Sequence, residues 1–312
     1  MSTPSGSGVS LSSIRLLYSP MVMVRVGLER QEFCIHKELL CSKSTYFANA
    51  LSGQFLEAQT RIVELEDVHV VLFRVFVAWL YTDKLLYESS NSNASSVDEF
   101  RDLDMELQKE TPCEAEESRD CVDDEDQWCK SNDLSNFQEK IPESWTYLIL
   151  VGLFVLADRL HAVRFTRQIL DTIIKKRTEN YDIPDSSAII HAYANTTRNS
   201  MLRRLLVHVI AYDEAFSSAY TAWTHLPVDF LAAVLVTLGR RMPGTQCSDC
   251  FGQAFIANNL ATTTVDDMCQ DEDISPFRHD VCFYHEHKDE EEKKACQAAR
   301  EEESDTESSS DT

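Results

Sequence analysis

The patterned part of the chain opens with the β-prone run Met21 to Val26, a glycine at position 27, and an extended run from Gln31 to Ile35. This predicts a short hairpin. HKELLCSKS predicts a helix that stops near Ser42. Ser42 or Ser44 can cap the next helix, in which Tyr46, Phe47, Ala50 and Leu51 recur at helical spacing, and Gly53 fits its stop. Arg61 to Leu65 alternates and reads as a third strand. Glu66 and Asp67 suit the start of a further helix, where the macrodipole favours negative charge. In that helix Phe73, Phe76, Val77 and Leu80 follow the i, i+3, i+4, i+7 rule, so one face is expected to be buried.

The character changes after Tyr87. Residues 89–143 are polar and acidic with little periodicity, and predict a disordered insertion. Cys113, Cys121 and Cys129 lie inside it at a spacing that matches no common zinc pattern. Trp145 restarts order. WTYLILVGLFVLADRLHAVRFTRQILDTIIKK predicts two helices with broad apolar faces, one up to about Leu160 and one from about His161 to Lys176. Asp182-Ile183-Pro184-Asp185 is a helix start. SSAIIHAYANTT follows as a short helix, then a helix marked by Leu202, Leu205, Leu206 and Val209. A third begins at Pro227 with Leu231, Val234, Leu235 and Leu238 on one face. The expected organisation is a flexible N-terminus (1–20), a first domain (21–176) carrying the insertion, and a helical extension (177–240). A Cys- and His-bearing segment (241–298) and a disordered acidic tail (299–312) complete it.

Charge narrows the partners. The formal net charge is −23, from 52 acidic and 29 basic side chains, which opposes nucleic acid and anionic membrane surfaces. The most apolar helical run, YLILVGLFVLA, is shorter than the roughly 20 residues that span a bilayer. MSTPSGSGVSLSS lacks the basic start and apolar run of a secretory signal. The expectation is an intracellular protein of the cytoplasm or nucleus, with thiols free or metal-bound.

The 312 residues include ten cysteines and eight glycines, and no glycine-rich phosphate loop. No Ser or Cys nucleophile with an acidic orienter is legible around His36, and Cys34 and Cys41 read as small buried apolar residues. The sequence supports no catalytic set, and the chain is read as a non-enzyme. Chemistry is legible near the end. Cys247-x2-Cys250 is a chelating pair, because two intervening residues let both sulfurs reach one tetrahedral ion. Cys282-x2-His285 repeats that spacing, so Cys247, Cys250, Cys282 and His285 would form a Cys3His structural zinc site. A second arrangement uses Cys282, His285 or His287, and Cys296.

Strand, strand, FxxHKxxLCSxSxYF, a helix, GxFxE, a strand and an apolar helix ending WLYT together resemble the BTB/POZ domain. The resemblance covers 22–87 and resumes near 145, where LxLxGLFVLADRLHAxxF is similar to the closing helical hairpin of that domain. WLYT and ADRLH resemble BTB proteins of filamentous fungi. The resemblance implies an α+β fold, a small sheet flanked by helices, here with a long acidic insertion and a helical C-terminal extension. It also implies a platform for protein contacts that forms a homodimer. Some members bind a cullin scaffold of ubiquitin ligases through a hydrophobic-x-Glu motif before the third strand, and Phe55-Leu56-Glu57 stands at that place. Others recruit co-repressors through a charged pocket made of an Asp before the first strand and a basic residue after the His. Lys37 supplies the second, but Pro20 stands at the first position. The function expected is a self-associating scaffold or adaptor, and the other reading is a nuclear, transcription-related regulatory factor with a structural zinc module.

Overall fold

The computed structural model describes residues 18–89, 95–110, 134–180, 182–213, 225–241 and 281–307. It divides into two compact units. One holds the residues up to Lys109 with Asp133–Thr172, and the other takes up the chain at Ile173.

The first unit starts with β1 (Met21–Val26) and β2 (Gln31–His36), which pair antiparallel with Val24 opposite Phe33. Gly27, at φ +74°, supplies the left-handed residue that the reversal needs, and Arg30 N–H returns to its carbonyl. Short helices α1 (Lys37–Lys43), α2 (Thr45–Ala50) and α3 (Leu56–Thr60) follow, then β3 (Ile62–Leu65). β3 lies parallel to β1, giving the sheet order β2-β1-β3. Val22, Val24, Val26, Ile35, Val63 and Leu65 turn inward. On the other face Arg25 bridges Glu32 (3.1 Å) and Glu64 (3.4 Å), its partners in the two flanking strands.

Helix α4 (Val70–Thr82) buries Leu72, Phe73, Val75, Phe76, Trp79 and Leu80. Its first turn does not use the acids at 66 and 67. Asp67 instead pairs with Arg159 through both carboxylate oxygens, at 2.6 and 2.7 Å, and this guanidinium holds the carboxyl below its usual range. The core is closed by α6 (Tyr147–Arg159), buried on nearly every side, and by the first turns of α7 (Val163–Asn180). Phe165 packs edge-on against Phe76 and tilted against Trp79, with centroids 5.4 and 4.7 Å away, and Trp79 Nε1 donates to Gln168 Oε1 at 2.8 Å.

Within 89–143 the expectation of disorder is corrected for two parts. Ser96–Glu110 forms α5, whose Phe100, Leu103 and Leu107 are buried. Spacing of three and four residues puts them on one stripe, so a helix that is polar on average still has an apolar face. Leu107 sits where a Cβ on Gly152 of α6 would come within 3.1 Å, so that glycine admits the close approach. Residues 134–144 add two 3-10 turns, and Phe137 packs on Phe100 at 4.6 Å. Cys113, Cys121 and Cys129 lie outside the described residues.

The second unit contains α8 (Ser186–Asn195), α9 (Met201–Asp213), α10 (Val228–Arg241) and α11 (Glu290–Glu307). Asp185 caps α8 by accepting the Ala188 N–H at 2.7 Å. Arg203 of α9 donates to the Tyr193 carbonyl at 2.7 Å and stacks over the Tyr193 ring at 4.4 Å. Helix α10 buries Phe230 and Val234, while Leu235 is 68 % exposed, so the buried face is offset from the one expected. Helix α11 continues to Glu307, into the expected tail. Glu290, Glu291 and Glu292 stand in its first turn, and Asp289 accepts the Glu292 N–H at 2.8 Å.

Candidate functional site

Two groups of residues stand out, one in each unit. The first lies between α2 and β3. The chain leaves α2 at Leu51, passes Gly53 at φ +81°, and enters α3 with Phe55 in the N-cap position. α3 is only five residues long, and Arg61 ends it in the left-handed region, its N–H bonded to the Glu57 carbonyl at 2.8 Å. Arg61 then accepts from Met23 N–H at 2.9 Å, which anchors the end of α3 to the sheet. Phe55 is 62 % and Leu56 70 % exposed, and Glu57 is half-buried beside them. An adjacent Phe and Leu facing solvent together are a candidate contact surface. The sequence marks the tripeptide but not its exposure.

Lys37 is otherwise engaged. Its backbone N–H donates to the Pro20 carbonyl at 2.9 Å, and its Nζ donates to the Leu51 carbonyl at 2.8 Å, capping the end of α2. A lysine tied to a helix end is a structural cation. His36 ends β2 and stands at the N-cap position of α1 without a side-chain cap bond, and its Nδ1 lies 2.9 Å from the Tyr81 hydroxyl. Burial pushes the Cys41 thiol up from its ordinary value, which makes it a poor nucleophile. Cys34 is exposed and not buried as the sequence suggested, because it points to the outer face of β2.

The second group lies near the end of the chain. Residues Val281–Tyr284 form a 3-10 turn, after which His285 and His287 precede α11. Cys282, His285, His287 and Cys296 converge, and their ligand atoms all lie within 4.8 Å of one another. Cys282 and His285 are buried. Cys247 and Cys250, the other half of the first expected zinc set, lie outside the described residues. Three of the members converge as the second arrangement described them, and His285 and His287 both belong to the group. The turn rests on α9: the Tyr284 hydroxyl meets His208 Nδ1 at 2.7 Å, and Arg204 lies over the Phe283 ring at 5.7 Å. Burial, reinforced by the Arg204 charge, depresses His208 to about 4, so its ring is neutral near pH 7.

Among the described residues no helix is long and apolar enough to cross a membrane. A three-stranded sheet flanked by helices, with an exposed apolar pair on a short helix, is an α+β unit that presents a candidate contact surface. Residues 21–112 match the family model of the BTB/POZ domain, and the chain carries that domain. The match ends just past α5, while α6 and the start of α7 complete the same compact unit. No curated protein matches the chain.

Proposed function

We propose that this chain is a non-enzymatic adaptor. Its BTB/POZ domain self-associates, and Phe55-Leu56-Glu57 engages the N-terminal region of a cullin-type scaffold so that the chain brings substrates to a ubiquitin ligase. The observation that carries the reading is the exposure of Phe55 and Leu56 on α3, with Glu57 beside them, immediately before β3. A large apolar side chain in solvent gains on being covered by a partner, and an adjacent carboxylate gives orientation. The charged co-repressor pocket has less support, since Lys37 is spent on the Leu51 carbonyl. We place the site of action in the cytoplasm or nucleus, supported by the thiols of Cys34, Cys41 and Cys296, none of which is in a disulfide.

The test is a pull-down of purified chain with a cullin N-terminal region, comparing wild type with Glu57→Lys and Phe55→Ala. Binding by wild type that both variants lose supports the reading. Equal absence of binding in all three removes the ligase role, and sedimentation as a monomer at micromolar concentration removes self-association.

A further inference from the structure

We propose that Cys282, His285, His287 and Cys296 form a closed Cys2His2 site for one structural zinc ion, which ties the turn at Val281–Tyr284 to helix α11. The expected Cys3His set drew on Cys247 and Cys250, but the geometry completes a four-donor set without them.

The convergence has a local cause. His285 N–H donates to the Cys282 carbonyl at 3.0 Å, which curls the x2 segment so that thiol and imidazole face the same point. His287 follows after one residue, and Cys296 arrives from the second turn of α11. His285 Nδ1 and Cys296 Sγ are 3.4 Å apart. A tetrahedral zinc ion with Zn–S near 2.3 Å and Zn–N near 2.0 Å sets its nitrogen and sulfur ligands about 3.5 Å apart. That edge is therefore already in place, and the other ligand atoms, all within 4.8 Å of one another, have to close by about 1 Å at most to reach it.

Donor chemistry selects the metal class. Two sulfurs and two imidazoles suit zinc and exclude the hard cations, which take oxygen ligands. Four protein donors leave no open coordination position, so the ion is structural. Two thiolates balance its two charges, which lets the centre sit where Cys282 and His285 are buried. The turn is also held before any metal binds. Tyr284 is fully buried between two of the ligands, with its hydroxyl on His208 of α9, and the Phe283 ring lies 5.9 Å from the same imidazole. A preorganised turn loses less freedom on binding.

The experiment is metal analysis of the purified full-length chain under reducing conditions, with Cys296→Ser, His287→Gln and the double variant Cys247→Ser/Cys250→Ser alongside. The expected result is one equivalent of zinc in wild type and in the double variant, and its loss in the other two. Cobalt replacing zinc should give the visible absorption of a tetrahedral site with two thiolates, and chelator should lower the thermal midpoint of wild type. Wild-type protein without stoichiometric zinc overturns the proposal whatever the variants do. So does zinc that persists in Cys296→Ser and disappears from Cys247→Ser/Cys250→Ser, and so does recovery of Cys282 and Cys296 as a disulfide in the native protein.

Discussion

The Ser44 hydroxyl donates to the Leu160 carbonyl at 2.6 Å. The same oxygen accepts the Phe47 N–H at 3.3 Å, so one side chain starts α2 and satisfies a carbonyl at the end of α6. The bond joins residues 116 apart in sequence, and Ser44 is almost fully buried.

Replacing Ser44 with Ala is therefore expected to remove a helix cap and leave a buried carbonyl without its donor. The loss should be about 1–3 kcal/mol, measured by denaturant unfolding of the full chain. Ser44→Thr keeps the hydroxyl and should retain most of the stability. Equal loss in both variants would mean that size at the site matters more than the bond.

Phe100 and Phe55 should behave oppositely. Phe100 is fully buried, with Tyr87, Phe137 and Trp145 around its ring at 4.7, 4.6 and 5.2 Å. Phe100→Ala should destabilise by about 3–5 kcal/mol, as truncations of buried Phe do. Phe55→Ala removes a side chain already in water and should leave stability within about 0.5 kcal/mol. Thermal melts of the two variants against wild type decide this, and a silent Phe100→Ala would return α5 to the status of a loose insertion.

Acidification should weaken the second unit. His208 is depressed to about 4 by burial and by Arg204, and burial also lowers His191. An unfolded chain protonates these rings near pH 6.5, above their folded values, so it binds more protons between those limits. Stability from keeping the rings neutral is present above about pH 6.5 and is lost as pH falls toward 4. Unfolding midpoints measured across that window should drop with pH. His208→Gln should flatten the profile, and an unchanged slope in that variant would show that His208 does not carry the effect.

Much of the first unit was legible in the sequence, because strong periodicity and strong capping coincide there. Met21 to Val26 form the strand their β propensity marked, Phe73, Phe76 and Leu80 are buried as their spacing predicted, and of the two serines that could cap α2 it is Ser44 that does. Helix α5 was hidden by composition. Its three buried apolar positions are outnumbered by acids, although Asp98 and Glu99 in its first turn were a readable start signal. Asp67 was assigned to a helix terminus, and no local pattern could show that Arg159, 92 positions later, would claim it. Leu235 looked like part of a buried stripe because the apolar residues of α10 cover more than one face, and sequence does not say which is covered.

At the candidate sites, residue types were legible and geometry was not. Phe55 and Glu57 could be named, but the exposure of Phe55 depends on what packs near the start of α3, which local sequence does not show. Lys37 could be named, but its bond to Leu51 depends on where α2 ends. Cys296 is eight intervening residues beyond His287, a spacing that has no meaning until α11 sets the thiol back toward the turn.

The division of the first unit across the acidic stretch has a consequence during synthesis. Trp79 and Phe76 leave the ribosome long before their cover, since α6 begins about 65 residues after α4 ends. At the usual elongation rate of about 5–20 residues per second, that leaves an interval of several seconds. During it Phe76 and Trp79 have Phe47 and Lys43 beside them but lack Phe165, which packs on both rings, so one side of the aromatic face stays open to chaperones and to other copies on the same message. The acidic segment made in that interval adds negative charge, which opposes association between such chains.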